Sequence, residues 1–117
     1  IYLPQRWAFR ILQENTHPRF ARCRNVHIER NLIAFNASNV STAINIGGNT
    51  EPETFTFVEN VWSCLDRPDA ARRIVRLPVE EKAGVFDFTP RFQDVEKGDL
   101  TLLDPAPHDA GARKTSP

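Results

Sequence analysis

Phe55-Thr56-Phe57-Val58-Glu59-Asn60-Val61-Trp62-Ser63-Cys64 repeats the pattern of Val26-His27-Ile28-Glu29-Arg30-Asn31-Leu32-Ile33-Ala34-Phe35. The two stretches superpose with a shift of 29 residues (60 − 31), which aligns Asn60 with Asn31. In each stretch apolar residues recur at every second position, an Asn follows, and the alternation then resumes. Alternation of this kind predicts a strand, a bend at the Asn and a second strand. Repetition at such a period indicates stacked turns of a solenoid.

The fold class predicted from this repeat is all-β, a short right-handed parallel β-helix of about three turns, here called rungs. Short strands at 26–29, 32–35 and 42–46 make up one rung before the chain returns at residue 55. Equivalent side chains then stack between rungs, so Asn31 and Asn60 are predicted to form an amide ladder. A β-sandwich is the alternative fold.

The chain is predicted to be a single domain over residues 1–117. Residues 1–6 form a lead-in, 7–64 the rungs, 65–112 an irregular C-terminal capping segment and 113–117 a tail. A strand is expected over 7–13 and an edge strand over 84–88. Asp66 is expected to cap a short helical turn that follows Pro68.

Composition and charge argue against several classes of partner. The 117 residues contain 15 basic and 15 acidic side chains, so neither nucleic acid nor an anionic membrane is an expected partner. The two cysteines, Cys23 and Cys64, leave a disulfide as one option. Cys23 and His27 form a single loose pair, whereas a structural zinc site needs four ligands, so no metal or cofactor is predicted.

The C-terminal part of the sequence resembles a known family. Residues 89–94 (Thr-Pro-Arg-Phe-Gln-Asp), 98–102 (Gly-Asp-Leu-Thr-Leu) and 105–112 (Pro-Ala-Pro-His-Asp-Ala-Gly-Ala) are similar to the closing segment of right-handed parallel β-helix proteins of the polysaccharide-lyase-like, or pectin-lyase-like, group. The resemblance implies the C-terminal end of a β-helix. Lyase sites of that group combine a basic residue with acidic metal ligands, and this sequence matches no such cluster, so no catalytic residue is carried over.

Four residues are predicted to point outward from the stacked strands and to bind a ligand: Arg10, His27, Glu29 and Thr56. Arg10, His27 and Glu29 suit the carboxylate and hydroxyl groups of a uronic acid. His27 and Glu29 are also weak candidates for an acid–base pair; a solvated face without ligand is the alternative. Trp7 and Trp62 are predicted to lie in the core.

The N-terminal rung is expected to leave strand edges unpaired, and such edges favour association with another chain. A homodimer through this rung is therefore predicted. The resulting function is a non-catalytic binding or assembly module, with acidic polysaccharide as the first ligand to consider. Alternatives are a fragment or small member of a polysaccharide lyase or hydrolase, and a purely structural self-associating protein. The sequence does not decide whether the protein is an enzyme, although it favours a non-catalytic role. Localisation is also open: proteins of the resembled group are mostly secreted, but the 117 residues contain no signal-peptide pattern.

Overall fold

A computed structural model describes residues 1–113, so most of the tail predicted at 113–117 lies outside the described residues. Short strands dominate this part of the chain, as the all-β prediction requires. They are β1 (Phe9–Ile11), β2 (His27–Glu29), β3 (Leu32–Phe35), β4 (Ile44–Ile46), β5 (Thr56–Val58), β6 (Val61–Cys64), β7 (Phe92–Asp94) and β8 (Asp99–Leu102). The one α-helix of the described residues, α1 (Ala71–Ile74), is a single turn.

The two repeat copies pair with each other as parallel strands. β2 pairs with β5, and His27 lies beside Thr56; β3 pairs with β6, and Leu32 lies beside Val61. Both registers correspond to the shift of 29 residues that the sequence predicts. β1 and β4 form a third parallel pair, whereas β7 and β8 are antiparallel. Parallel pairs distinguish this arrangement from the antiparallel sheets of a β-sandwich.

Single bridges extend the stack at both ends. Tyr2 pairs with Ala34 before the first copy, and Lys82 and Val85 pair with Val58 and Val61 after the second. The edge strand predicted over 84–88 is thus reduced to the bridge at Val85. The strand predicted over 7–13 is also shorter, because a bend at residue 8 delays its start to Phe9.

The core lies between the strands and is built from the inward-facing positions of each copy. Ile28, Ile33, Phe57 and Trp62 are buried, and the ring of Phe9 meets that of Trp62 edge-on at 6.3 Å. Cys64 belongs to this core and Cys23 is half-buried; both thiols are free, so the optional disulfide is absent.

The bends between paired strands place both Asn side chains in the predicted ladder. In each copy the residue before the Asn, Arg30 or Glu59, has left-handed backbone geometry, with φ of 51° and 56°. Asn31 donates from its backbone N and from Nδ2 to Oδ1 of Asn60, at 3.0 and 3.2 Å. Nδ2 of Asn60 also donates to the carbonyl of Ile28 at 2.9 Å. The amide ladder predicted from the repeat is therefore present.

The ladder ends at a carboxylate that the repeat does not predict. Asn60 donates from its backbone N and from Nδ2 to Oε2 of Glu81, at 3.0 and 2.7 Å, and Nε1 of Trp62 donates to Oε1 at 2.8 Å. The pairing of Val61 with Val85 puts Gly84 where a third Asn would stand. A Cβ at Gly84 would lie 2.7 Å from Glu81 Oε1, so the glycine leaves room for the carboxylate.

The C-terminal residues pack against the outward side of β3 and β6. Ala106 and Ala110 are buried against the outward faces of Leu32 and Val61, with Phe92 and three other half-buried apolar residues around them. This placement differs from a cap confined to the end of the stack. Its physical reason is that Leu32 and Val61 are apolar on the outward face and need cover.

Asp66 does not cap the following helical turn. Its carboxylate accepts hydrogen bonds from the backbone N–H groups of Ala37 (2.7 Å) and Ser38 (3.1 Å), and it thereby fixes the turn that follows β3. The turn that begins at Pro68 has no side-chain cap. Within residues 1–113, no helix has the length and apolar character needed to cross a membrane.

Candidate functional site

Three of the four predicted ligand-binding residues lie together on the outer face of the β2–β5 pair. His27, Glu29 and Thr56 are exposed, while Ile28 and Phe57 between them point inward. Nε2 of His27 lies 3.0 Å from Oε2 of Glu29, with side chains 54% and 36% exposed. The alternation in the sequence therefore identifies the outward positions of this face correctly.

Arg10 is also exposed, but it lies on the separate β1–β4 pair. Its Nη1 donates to Oδ1 of Asn45, the residue beside it in the register of that pair. Its guanidinium carbon lies 4.9 Å from the centroid of the Trp7 ring. The four predicted residues thus belong to two different strand pairs.

Trp7 corrects the prediction that both tryptophans lie in the core. Trp62 is fully buried, whereas Trp7 is half-buried and lies outside both core clusters. The bend at residue 8 breaks the alternation with Phe9, so that Trp7 lies on the same side as Arg10. The guanidinium carbon of Arg6 is 4.5 Å from the same ring. The signal that sequence reasoning missed is the pair of arginines on either side of this tryptophan.

We call Arg6, Trp7, Arg10 and Asn45 the Trp7 cluster. It combines an accessible aromatic ring, two guanidinium groups and a side-chain amide. Guanidinium groups bind carboxylates through paired, charge-assisted hydrogen bonds. A flat ring with polar groups at its edge suits a ligand that has an apolar face and a polar rim. The cluster therefore matches the chemistry of a carboxylated sugar better than the His27–Glu29 pair, where the acidic side chain would repel a carboxylate.

A cleft of about 530 Å³ lies beside the residues that follow α1. Val75, Leu77 and Phe86 form its apolar part, and the guanidinium carbon of Arg72 lies 4.4 Å from the Phe86 ring. Glu81 also lines this cleft, but its carboxylate is engaged by Asn60 and Trp62. Because its carboxylate oxygens already accept three hydrogen bonds, Glu81 acts as a structural group here.

Among residues 1–113, no three His, Cys, Asp or Glu side chains come together in a way that could hold a metal ion.

No family model, no curated protein and no solved structure matches the chain. Function is therefore inferred from the geometry of the residues themselves.

Proposed function

We propose that the chain forms a short right-handed parallel β-helix that resembles the C-terminal end of polysaccharide-lyase-like proteins. The in-register parallel pairs β2–β5 and β3–β6, with the amide ladder at their common bend, support this proposal. Inward apolar and outward polar residues alternate in β2, as stacked rungs require. The bridges at Tyr2 and Val85 add partial rungs before and after the two copies.

We propose further that the module binds acidic carbohydrate without catalysing a reaction on it. The observation that carries this proposal is the position of two guanidinium groups, of Arg6 and Arg10, against the half-exposed ring of Trp7. A uronic acid residue would place its carboxylate on the guanidinium groups and its ring against the indole edge or face. Asn45 fixes Arg10 from the neighbouring strand and so limits the rotamers that binding must order.

A catalytic role, as a lyase or hydrolase fragment, is the weaker candidate. His27 and Glu29 are within hydrogen-bond distance, which an acid–base pair requires. Both side chains stand on an open strand face, however, whereas acid–base catalysis depends on a site that orients substrate and excludes water. This candidate predicts that His27→Ala abolishes turnover of a uronic acid polymer, while the binding proposal predicts no turnover in either protein.

The binding proposal is tested by titrating the protein with polygalacturonate and with its methyl ester, which has the same rings without the charge. We expect the charged polymer to bind and to change the fluorescence of Trp7, since Trp62 is buried. Arg10→Ala is expected to weaken binding by about tenfold or more, because a charged hydrogen-bonding group is lost. Arg24→Ala removes another exposed charge, which lies outside the cluster, and should change affinity less than twofold. Equal binding of both polymers, or equal effects of both variants, would contradict the proposal.

Self-association through the N-terminal rung is the second candidate function. Within residues 1–113, β1 and β2 each pair with a single strand, and Ile1 is an exposed apolar residue. Unpaired strand edges with adjacent apolar surface favour pairing with another chain. Light scattering on the purified protein separates the possibilities: a dimer is expected if this surface associates, and a monodisperse monomer would contradict it.

A further inference from the structure

The Trp7 cluster belongs to a strongly basic part of a chain that is neutral as a whole. Residues 1–25 contain one acidic side chain, Glu14, and five arginines: Arg6, Arg10, Arg19, Arg22 and Arg24. The excess of acidic side chains that balances them lies in the rest of the sequence. Such an uneven distribution concentrates positive potential on one part of the molecule and attracts anions to it. The basic segment is longer than the Trp7 cluster, because three of its arginines follow β1.

The strand pair that carries Arg10 continues towards these arginines. The N–H of Gln13 donates to the carbonyl of Gly48 at 3.1 Å, so the pairing of β1 with β4 extends beyond the ends of both strands. Leu12 follows Arg10 by two residues and belongs to neither core cluster of the described residues. Because residues advance about 3.3 Å each along a strand, Gln13 lies about 10 Å from Arg10.

The loop 14–22 is held at both of its ends by the segment that follows β4. Nδ2 of Asn49 donates to the carbonyl of Gln13 at 3.2 Å. At the other end of the loop, the N–H of Cys23 donates to the carbonyl of Asn49 at 2.9 Å, and Cys23 pairs with Thr50. The loop is therefore fixed beside the end of the β1–β4 pair.

Local hydrogen bonds also order the loop itself. Oδ1 of Asn15 accepts the N–H of His17 at 3.0 Å, and Nδ1 of His17 accepts the N–H of Arg19 at 3.2 Å. Since Nδ1 is the acceptor, the neutral imidazole carries its proton on Nε2 and can donate it to a ligand. A loop that is ordered before binding loses less conformational entropy when a ligand arrives.

This loop encloses a cleft of about 230 Å³, here called the Phe20 cleft. The ring of Phe20 is an exposed apolar group, 42% accessible, and the guanidinium carbon of Arg19 lies 5.0 Å from its centroid. The polar lining of the cleft includes three side-chain amides, an imidazole and a guanidinium, from Gln13, Asn15, Asn49, His17 and Arg22. The cleft thus repeats the chemistry of the Trp7 cluster, in which an accessible aromatic ring lies beside guanidinium and amide groups.

We propose that the Trp7 cluster and the Phe20 cleft bind the same acidic polysaccharide chain, as two contact points on an internal stretch of several uronic acid units. This inference rests on the function proposed for the Trp7 cluster and adds the length of the ligand. One carboxylate binds Arg6 and Arg10, and a later one binds Arg22, with Leu12 between them. Two contact points on one chain raise its affinity, because binding at the first holds the chain close to the second.

The amide groups of the Phe20 cleft favour a sugar chain over a single-stranded nucleic acid. Side-chain amides both donate and accept hydrogen bonds, as sugar hydroxyls do. A phosphate backbone only accepts, so it would leave the amide oxygens of Gln13, Asn15 and Asn49 without donors. Because aromatic rings and arginines also bind single-stranded nucleic acid, this ligand is included in the test.

The test compares a dimer and a hexamer of galacturonic acid by isothermal titration calorimetry. We expect the wild type to bind the hexamer at least about tenfold more tightly than the dimer. Phe20→Ala and Arg22→Ala should weaken hexamer binding by about fivefold or more and leave dimer binding within about twofold. Both side chains are exposed, so neither change should impair folding. In NMR spectra, the amide signals of His17 and Phe20 should shift with the hexamer and not with the dimer.

Two control variants separate this inference from the function proposed for the Trp7 cluster. Arg10→Ala should weaken binding of both sugars, whereas Arg24→Ala, at an exposed arginine that does not line the Phe20 cleft, should affect neither. Loss of hexamer affinity in Arg10→Ala but not in Phe20→Ala or Arg22→Ala would overturn the longer site and leave the Trp7 cluster as the binding site. No binding of the hexamer to the wild type would overturn both. Polyuridylate that binds as tightly as the hexamer would overturn the assignment to a sugar chain.

Discussion

Nδ2 of Asn60, a fully buried side chain, lies 2.7 Å from Oε2 of Glu81. Glu81 comes from outside both repeat copies, yet it completes the ladder that they begin. Its second oxygen accepts the indole N–H of Trp62, the largest side chain of the core. One carboxylate thus satisfies three N–H donors that would otherwise be buried without partners.

Replacing Glu81 with Gln tests this role. The Gln side chain has one acceptor and one donor, so either Asn60 or Trp62 would face an N–H group instead of an oxygen. We expect Glu81→Gln to lower the free energy of unfolding by about 1–3 kcal/mol, the cost of an unsatisfied buried donor. Glu80→Gln, at the exposed neighbouring position, should stay within about 0.5 kcal/mol. Urea unfolding measures both, and the indole ¹H–¹⁵N signal of Trp62 should move only in Glu81→Gln.

Gly84 is predicted to be required for space rather than for backbone freedom. A Cβ at this position would lie 2.7 Å from Oε1 and 2.9 Å from Cδ of Glu81, whose carboxylate is held by three hydrogen bonds. Gly84→Ala should therefore destabilise the protein by about 1–3 kcal/mol, as overpacking does elsewhere. A Cβ at Gly48 meets no atom within 4 Å, so Gly48→Ala is the control. Equal unfolding midpoints for the two variants would refute the account of Gly84.

The packing of the C-terminal segment on the side of the stack depends on Leu32. This side chain is 5% exposed and contacts the cluster that contains Ala106 and Ala110. Leu32→Ala should cost about 2–5 kcal/mol and make residues near 100–113 easier to cleave by protease. Leu103→Ala, at a leucine that is 49% exposed, should change neither property appreciably. Limited proteolysis with mass spectrometry distinguishes a released segment from general unfolding.

The hydrogen bonds of the Asp66 carboxylate should make the stability of the protein depend on pH. The backbone N–H of Ala37, with a smaller contribution from Ser38, holds the pKa of the Asp66 carboxyl below its ordinary value. Because the pKa is lowered in the folded state, the ionised Asp66 carboxylate stabilises the protein fully above the unfolded pKa of about 3.9. This stabilisation is lost as the pH falls through the folded pKa. Asp66→Asn should therefore be less stable than the wild type at pH 6, and this difference should shrink below about pH 4. A difference that is constant between pH 6 and pH 3 would exclude a role for the charge.

The sequence predicts the central pairing because both copies carry the same alternation around one Asn. Val26 and Phe35 therefore pair with the second copy at the same shift of 29 residues, and Asn31 contacts Asn60. The repeat does not predict Glu81, because the residues that pair with the second copy follow at a shorter spacing. Val58 pairs with Lys82, 24 residues later (82 − 58), and Gly84 stands in place of the expected Asn. A glycine leaves no repeat signal, and the carboxylate that fills its space is three residues away in the chain.

The site is less predictable than the fold. His27, Glu29 and Thr56 follow from alternation and are correctly placed on the outside. Trp7 does not follow, since one bend at residue 8 moves it from the inward to the outward side. Local backbone geometry at the start of a strand depends on contacts with neighbouring strands, which the pattern of a single strand does not contain.

We propose that residues 26–35 and 55–64 form successive parallel turns of one stack. Scalar couplings across backbone hydrogen bonds, measured by NMR, reveal which groups of the two segments are paired. The structure predicts coupling between the Thr56 amide and the Val26 carbonyl, and between the Val61 amide and the Asn31 carbonyl. Couplings whose partners run in opposite directions along the two segments would show antiparallel strands, and would contradict the stacked-rung account.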